Sequence, residues 1–472
     1  MIRKKKNFIW FMEKNYNIYF MGIGGIGMSA LARYFLHEGR KVAGYDRTQT
    51  PLTQALQSEG AEVCYDDEVE NIPEAFRNPA TTMVVYTPAV PSDHPQMEFF
   101  RKGGFLMEKR SQMLGHLSDG KYVMAVAGTH GKTTTSTMIA WLNAATGAGG
   151  NAFLGGISKN FNGNMVLGEG NRLAVEADEF DRSFLRLKPD VAVITSVAAD
   201  HLDIYGTFEA VVEAFGQFAA LIKPGGDLII KQGVEIALPE GVDIWRYSYD
   251  DSRSDFRAEN ITLCEGGYYN FDMVTPTLTY PSLRLGIPGW VNVENAVAAV
   301  ASLWCAARKR GEQLDEALLR KALADFGGVK RRFEFYVNTP RQVYMDDYAH
   351  HPEELEAAIT SVRRMFPSRH LTAIFQPHLY TRTRDLYREF AEALSIADEV
   401  VLVPIYPARE LPIEGVSERM IGEKVTAPWC VCEREKLEEY LAEHKTDVVV
   451  SFGAGNIDAY CQAIARTLEK KA

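Results

Sequence analysis

The stretch AVAGTHGKTTT, from Ala125 to Thr135, constrains the fold of this chain more than any other. The apolar run VMAVA reads as a buried strand and TTTSTMIAWLNAAT as a helix, so the turn between them lies at the carboxyl edge of a sheet. Gly128, Gly131, Lys132 and Thr133 give G-x-x-G-K-T. In that spacing backbone N–H groups cradle a phosphate, an ammonium neutralises it and a hydroxyl reaches a magnesium ion. Val126 stands where the longer form of such a loop has its first glycine, so this is a shortened variant. A plain strand-to-helix turn does not call for a lysine between a glycine and three threonines.

A second glycine-rich loop lies near the start, in NIYFMGIGGIGMSAL from Asn17 to Leu31. Gly22, Gly24 and Gly27 fit G-x-G-x-x-G between a strand and a helix. Asp46 closes the next strand, where a ribose-binding acid is expected. A diphosphate can approach the N–H groups at a helix start only where no Cβ intrudes, which is why glycines are needed. The pattern leaves three readings open: a dinucleotide, a nucleotide sugar or a purely structural turn. Two loops of different design imply two different phosphorylated ligands.

Strand-like and helix-like runs alternate over 472 residues, too many for one ordinary core. They predict three α/β domains with parallel sheets, divided as 1–118, 119–326 and 327–472. The glycine pair and basic cluster of DFGGVKRRFE mark the last boundary. With 62 acidic and 51 basic residues the net charge is -11, which argues against nucleic acid as a partner. Six scattered cysteines, of which only Cys430 and Cys432 lie close, predict reduced thiols in a cytoplasm. The opening MIRKKKNFIWFMEK carries an apolar run too short for membrane insertion or a secretory signal, and Met12 is an alternative first residue.

AVEADEF (Ala174 to Phe180) and AADHLDIYG (Ala198 to Gly206) both follow apolar strands, so their polar groups emerge at a sheet's carboxyl edge. Glu176 and His201 are candidate metal ligands there. The alternative is a solvated acidic loop, with His201 satisfied by Asp200.

GIGGIGMSA, GTHGKTTT, EADEFDRSF, DHLDIYG, PGWVNVENAVAA, GVKRRFE, DDYAHHP and FQPHLYTRTRDL occur in one order along nearly the whole chain. Together they resemble the Mur ligase family, and most closely its alanine-adding branch. The resemblance implies a Rossmann-like N-terminal domain, a central P-loop ATPase domain and a C-terminal Rossmann-like α/β domain. It also implies ATP-dependent ligation of L-alanine to the lactyl carboxylate of UDP-N-acetylmuramate, in the bacterial cytoplasm, for peptidoglycan precursor synthesis. The sugar nucleotide would lie on Gly24, Gly25, Ile26 and Gly27 with Asp46 nearby. ATP would lie on Gly128, Thr129, His130, Gly131, Lys132, Thr133 and Thr134, with Mg2+ held by Thr133, Glu176 and His201. Paired asparagines in an H-N-x-x-N run read adenine in this family. Asn292 and Asn295 match, whereas Val291 replaces the histidine. Arg332 and Asp346 resemble the last domain's contributions to phosphate and ribose, and Tyr348, His350 and Arg382 the lining of the amino-acid site. Leu379 stands where many relatives carry an arginine. The helix TFEAVVEAFGQFAALI has no lysine for the carbamylated device of other branches.

The implied chemistry explains the parts. A carboxylate accepts an amine poorly until its leaving oxygen is phosphorylated, and phosphorylation brings two anions together. Each pair of unit charges about 4 Å apart repels by about 4 kcal/mol at an effective dielectric near 20. Lys132, Glu176 and His201 through magnesium, and Arg332 would oppose that repulsion, while His350 would act as general base or orient the amine. A last domain that closes would keep water from the acyl phosphate. The rival readings are a dehydrogenase, which leaves GTHGKTTT unused, a P-loop motor or binding module, and a family member that attaches a whole tripeptide.

Overall fold

The computed structural model describes residues 16–199, 202–408 and 410–471. Met12, Asp200 and His201 lie outside the described residues. The chain forms two compact units, one running through Tyr247 and including Ala298–Leu319, the other made of Ser248–Val297 with the residues from Arg320 onward.

The first unit opens with strands β1 (Asn17–Met21), β2 (Val42–Tyr45), β3 (Glu62–Cys64), β4 (Thr82–Tyr86) and β5 (Leu106–Lys109). They form a parallel sheet in the order β3-β2-β1-β4-β5. Successive side chains of a strand point to opposite faces, and both faces of β1 are buried. Ile18 and Phe20 join one apolar cluster with Leu31 and Phe35, while Tyr19 and Met21 join another with Phe76 and Phe100. A strand buried on both sides needs helices on both sides, which is the doubly wound arrangement expected from the sequence.

Seven further strands follow in this unit: β6 (Tyr122–Ala127), β7 (Asn151–Ser158), β8 (Gly163–Val166), β9 (Arg172–Glu176), β10 (Val191–Ile194), β11 (Asp227–Lys231) and β12 (Asp243–Ser248). Their order is β12-β11-β10-β6-β9-β7-β8, parallel except for β8 against β7. β6 is the run VMAVA with Tyr122 in front, and its last five residues are at most 1% exposed. Burying each Val or Met there contributes about 1.5–3 kcal/mol. β9 and β10 flank β6, so three carboxyl ends meet beside the G-x-x-G-K-T loop.

In the second unit β13 (Phe256–Leu263), β14 (Tyr269–Val274) and β15 (Thr279–Arg284) form an antiparallel meander. The remainder is a six-stranded sheet of β16 (Glu334–Asn338), β17 (Val343–Asp347), β18 (Leu371–Phe375), β19 (Glu399–Leu402), β20 (Trp429–Val431) and β21 (Val448–Phe452), in the order β16-β17-β21-β18-β19-β20. Only β16 runs antiparallel. β21 slots between β17 and β18, and this reversal of strand order opens a crevice at their carboxyl ends. No helix among the described residues is long and apolar enough to cross a membrane.

Candidate active site

The helix Lys132–Ala145 starts directly after the loop that leaves β6. Gly128 and Gly131 hold φ of +144° and +81°. A Cβ on Gly128 would lie 2.0 Å from Thr195 Oγ1, so both the backbone conformation and the space demand glycine. The loop is pinned from the end of β10. Ser196 Oγ accepts the His130 N–H at 2.8 Å and lies 2.9 Å from Thr129 Oγ1, and Thr195 Oγ1 donates to the His130 carbonyl at 2.5 Å. Neither Thr195 nor Ser196 was legible as a site residue, because their partners are set by strand order rather than by spacing along the chain.

Lys132 points back over the loop. Its ammonium donates to Glu179 Oε1 at 2.7 Å, to the Gly128 carbonyl at 2.5 Å and to the Thr129 carbonyl at 3.2 Å. The Lys132 and Glu179 side chains are 14% and 2% exposed. Burial opposes the lysine's charge, but the carboxylates of Glu179 and Glu176 outweigh it and hold the ammonium above its ordinary pKa. Burial likewise lifts Glu179 to about 7, against the downward pull of Lys132. Tyr205 Oη donates to the Glu179 backbone carbonyl at 2.6 Å, fixing this turn. The sequence motif AVEADEF contains Glu179, yet Glu176 had the stronger claim as the residue ending the strand.

Glu176 does end β9, and its Oε2 is buried with no hydrogen-bond partner among the described residues. A Cβ on Gly155 would lie 2.2 Å from that oxygen, so glycine makes room for the carboxylate. An orphaned carboxylate oxygen beside a phosphate-type loop fits a divalent cation, as does Thr133 in the first helical turn, only 8% exposed. Among the described residues only Asp66, Asp67 and Glu68, all exposed, bring three metal-ligating atoms together. The loop thus offers one carboxylate and one hydroxyl, a set that suits Mg2+, which keeps waters and substrate phosphates as its other ligands.

At the first glycine loop, Gly22 has φ +85° and Gly25 caps the helix Ile26–His37. Asp46 Oδ2 accepts the Gly24 N–H at 2.7 Å and Oδ1 accepts the Thr48 N–H at 3.2 Å, so Asp46 braces the loop. A Cβ on Gly27 would lie 2.7 Å from Arg110 Nη1, and Arg110 Nη2 donates to Asp178 Oδ2 at 3.0 Å. Arg110 is therefore a cation at this helix start that sequence reasoning missed. It lies just beyond the carboxyl end of β5, and that position was the available signal.

In the second unit Asn292 Nδ2 donates to the Pro288 carbonyl at 2.6 Å and Asn295 Nδ2 to Asn292 Oδ1 at 3.0 Å. The two asparagines thus form a connected pair without the imidazole that Val291 replaces. Asp346 is fully buried, accepting from Arg331 Nε at 3.1 Å and from Ser451 Oγ at 2.7 Å. Burial raises its pKa while Arg331 pulls it down. Arg331 and Arg332 both lie 5.1 Å from the centre of the Tyr348 ring. Asp347, lifted to about 6 by burial against the pull of Arg332, accepts the N–H groups of Phe333 and Ala349, each at 2.9 Å.

His350 follows this turn. Its Nδ1 lies 3.0 Å from the Tyr348 carbonyl, which can only accept, so Nδ1 carries a proton and Nε2 keeps its lone pair when the ring is neutral. The His350 ring stands 5.3 Å from Tyr348 and 6.1 Å from His378, centre to centre. Glu354 Oε2 accepts the His350 N–H at 2.9 Å. Leu379 begins the helix Tyr380–Leu394 with φ of +75°, a conformation uncommon for a leucine, and that helix carries Arg382. The crevice between β17 and β18 thus gathers Tyr348, His350 and His378, of which His378 had not been singled out.

A mononucleotide-type loop with a buried Lys–Glu pair, a two-glycine-loop first unit and a histidine-lined crevice define an α/β ligase of the Mur type. Family models match throughout: the Mur ligase family catalytic domain at residues 17–122, the Mur ligase middle domain at 126–303 and the Mur ligase glutamate ligase domain at 331–455. The chain belongs to the Mur ligase family and has its three-domain architecture. It is 48% identical over 460 residues to the UDP-N-acetylmuramate--L-alanine ligase of Phocaeicola vulgatus, covering 96% of this chain and 98% of that one. The protein of that name from Cytophaga hutchinsonii is 41% identical over 461 residues, covering 97% of each. Among solved structures, the UDP-N-acetylmuramate-alanine ligase from Thermotoga maritima matches with a TM-score of 0.79 at 26% identity, covering 97% of this chain and all of the other.

Proposed function

We propose that this chain joins L-alanine to the lactyl carboxylate of UDP-N-acetylmuramate at the expense of ATP, through an acyl phosphate, in the bacterial cytoplasm for peptidoglycan precursor synthesis. It is an ATP-dependent amide-forming ligase, and its substrates are small molecules. The observation that carries the reading is the Lys132 ammonium, buried and held charged at the start of a helix whose loop is shaped for phosphate. A dehydrogenase has no use for it.

The roles follow from placement. Gly24 to Gly27 present a helix start to the diphosphate of the sugar nucleotide, with Asp46 bracing the loop through Gly24. Lys132 balances phosphate charge on the Gly128–Thr134 loop, and His130 is held in line by Ser196. Thr133 and Glu176, with His201, would hold Mg2+, which neutralises phosphate charge during transfer. Asn292 and Asn295 serve adenine. Arg332 serves phosphate, and Asp346 acts on the nucleotide side through Arg331, since its own carboxylate is enclosed. Nε2 of His350 takes a proton from the attacking amine or orients it, and Tyr348 and Arg382 line the alanine site. The functional domains are those divided at about residues 118 and 326, as the sequence predicts.

The test is isotopic. With heavy oxygen in the lactyl carboxylate, one labelled oxygen must appear in the released phosphate, because the C–O bond of the acyl phosphate breaks when the amine displaces it. Unlabelled phosphate sinks the mechanism. A product assay with UDP-N-acetylmuramate and single amino acids tests the acceptor, and a product formed only with a tripeptide overturns the alanine assignment.

A further inference from the structure

At the edge of the central sheet opposite the ATP loop lies a cavity of about 630 Å³, walled by the starts of β6 and β9 and by residues of the helices around Leu303 and Leu318. Tyr122 and Arg172 are direct neighbours across β6 and β9 and both line it. Arg172 is only 8% exposed, and its one side-chain hydrogen bond goes to Asn143 Oδ1. No carboxylate pairs with it among the described residues. Burial, and next the neighbouring Arg310 guanidinium, push its pKa below the ordinary value. The Tyr122 hydroxyl is enclosed, with no hydrogen-bond partner among the described residues.

A buried guanidinium without a counter-ion is costly. The Arg172 guanidinium is a cationic donor at this space, so the partner it lacks is an anionic acceptor. The other charges nearby are already matched. Asp227 is held by Arg308 and Lys309 at 2.7 and 2.9 Å, Asp190 by Lys223 at 2.7 Å, and Glu312 by Arg310 at 2.7 Å. Asp315 accepts the Leu318 N–H at 2.9 Å as a helix cap. The rest of the wall is mixed, with an apolar side of Leu303, Ala306 and Leu318 and polar groups from Thr146, Asn171 and Gln313.

We infer that this cavity is a binding site for a small organic oxyanion, its acidic group on Arg172 and its apolar body against Leu303, Ala306 and Leu318. The site is separate from the machinery of ligation, which lies at the carboxyl ends of the same strands. The seat is built for one anionic group, and the apolar side favours a carboxylate or phosphate monoester carrying hydrocarbon over a free inorganic ion.

Calorimetric titration of the full-length protein with 4-phenylbutyrate, its neutral amide and inorganic phosphate tests this. Saturable one-to-one binding of the carboxylate is expected, at least tenfold tighter than that of the amide or of inorganic phosphate. Arg172→Gln should abolish it. Leu318→Glu, at a residue 43% exposed, should weaken the carboxylate at least fivefold and weaken the amide less, because the new charge repels only the acid. It also keeps the test decisive if Arg172→Gln fails to fold. Equal carboxylate binding by wild type and Leu318→Glu, equal binding of acid and amide, or no binding of the acid overturns the inference.

Discussion

Replacing Lys132 by Met keeps the shape of the side chain and removes its charge, which leaves Glu179 facing the loop without its cation. In the native protein Glu179 titrates near 7, and Lys132 is what keeps it that low. Without the ammonium its folded pKa climbs further, while the unfolded value stays near 4.3. The sign follows from proton binding. A carboxyl with a raised folded pKa gives no penalty below the unfolded pKa and loses stability as pH rises through the folded pKa. Native protein has taken its full penalty slightly above pH 7, whereas the variant goes on losing about 1.4 kcal/mol per pH unit until its own higher pKa is passed. Between pH 7 and pH 9 the gap between the two should widen by up to about 2.7 kcal/mol, on top of the roughly 3–5 kcal/mol that breaking a buried pair costs. For a domain of this size each kcal/mol shifts Tm by about 2–4 °C, so the widening should reach up to about 5–11 °C. Thermal melting of both proteins from pH 6 to pH 9 reads it directly. Lys132→Met with Glu179→Gln should melt with a gap that no longer grows with pH. A gap that is constant with pH in the single variant would refute the reasoning, because Glu179 would then not be the group left unpaired.

Ser196→Ala removes the acceptor of the His130 N–H and the partner of Thr129, and steady-state kinetics should show a KM for ATP about tenfold higher, for a loss of about 1.4 kcal/mol, with KM for alanine unchanged. Glu176→Gln should raise the magnesium concentration needed for half-maximal rate. Gly155→Ala should do the same, because its Cβ would strike the Glu176 carboxylate, and an unmoved magnesium titration in both removes Glu176 from the metal site. His350→Gln should lower kcat/KM for alanine by roughly 100-fold while rapid-quench ADP formation in the first turnover stays near normal, and equal slowing of both steps would place His350 with the nucleotide instead.

What the sequence disclosed depended on how locally each feature is determined. The G-x-x-G-K-T loop, the helix after it and the double burial of β1 all follow from neighbouring residues, so they were legible and the α/β architecture with them. Glu179, Thr195 and Ser196 were not singled out, because they reach the loop only once β9 and β10 have taken places on either side of β6. His378 escaped for the same reason, standing just past β18, whose neighbour β21 is remote in sequence, whereas Arg110 stands just past β5 beside the adjacent strand β4. Asp46 was expected near ribose, and the structure shows its carboxylate accepting the Gly24 N–H, a contact that spacing along the chain did not disclose. Leu379 was legible as a departure from an arginine but not as a residue with φ of +75°.

The placing of β6 between β9 and β10 also sets a timetable for a growing chain. When Ala127 has been made, neither strand that will border it exists, and Ser196, which ties down the loop, comes about 70 residues later. At about 5–20 residues per second that is roughly 3–14 s of synthesis during which YVMAVA, among the most apolar runs of the chain, has two open edges. A rare-codon pause while residues up to 190 are being made would lengthen that exposure and lower the yield of soluble enzyme, whereas the same pause placed well after residue 200, once β10 has cleared the ribosome, would fall when β6 can have both neighbours.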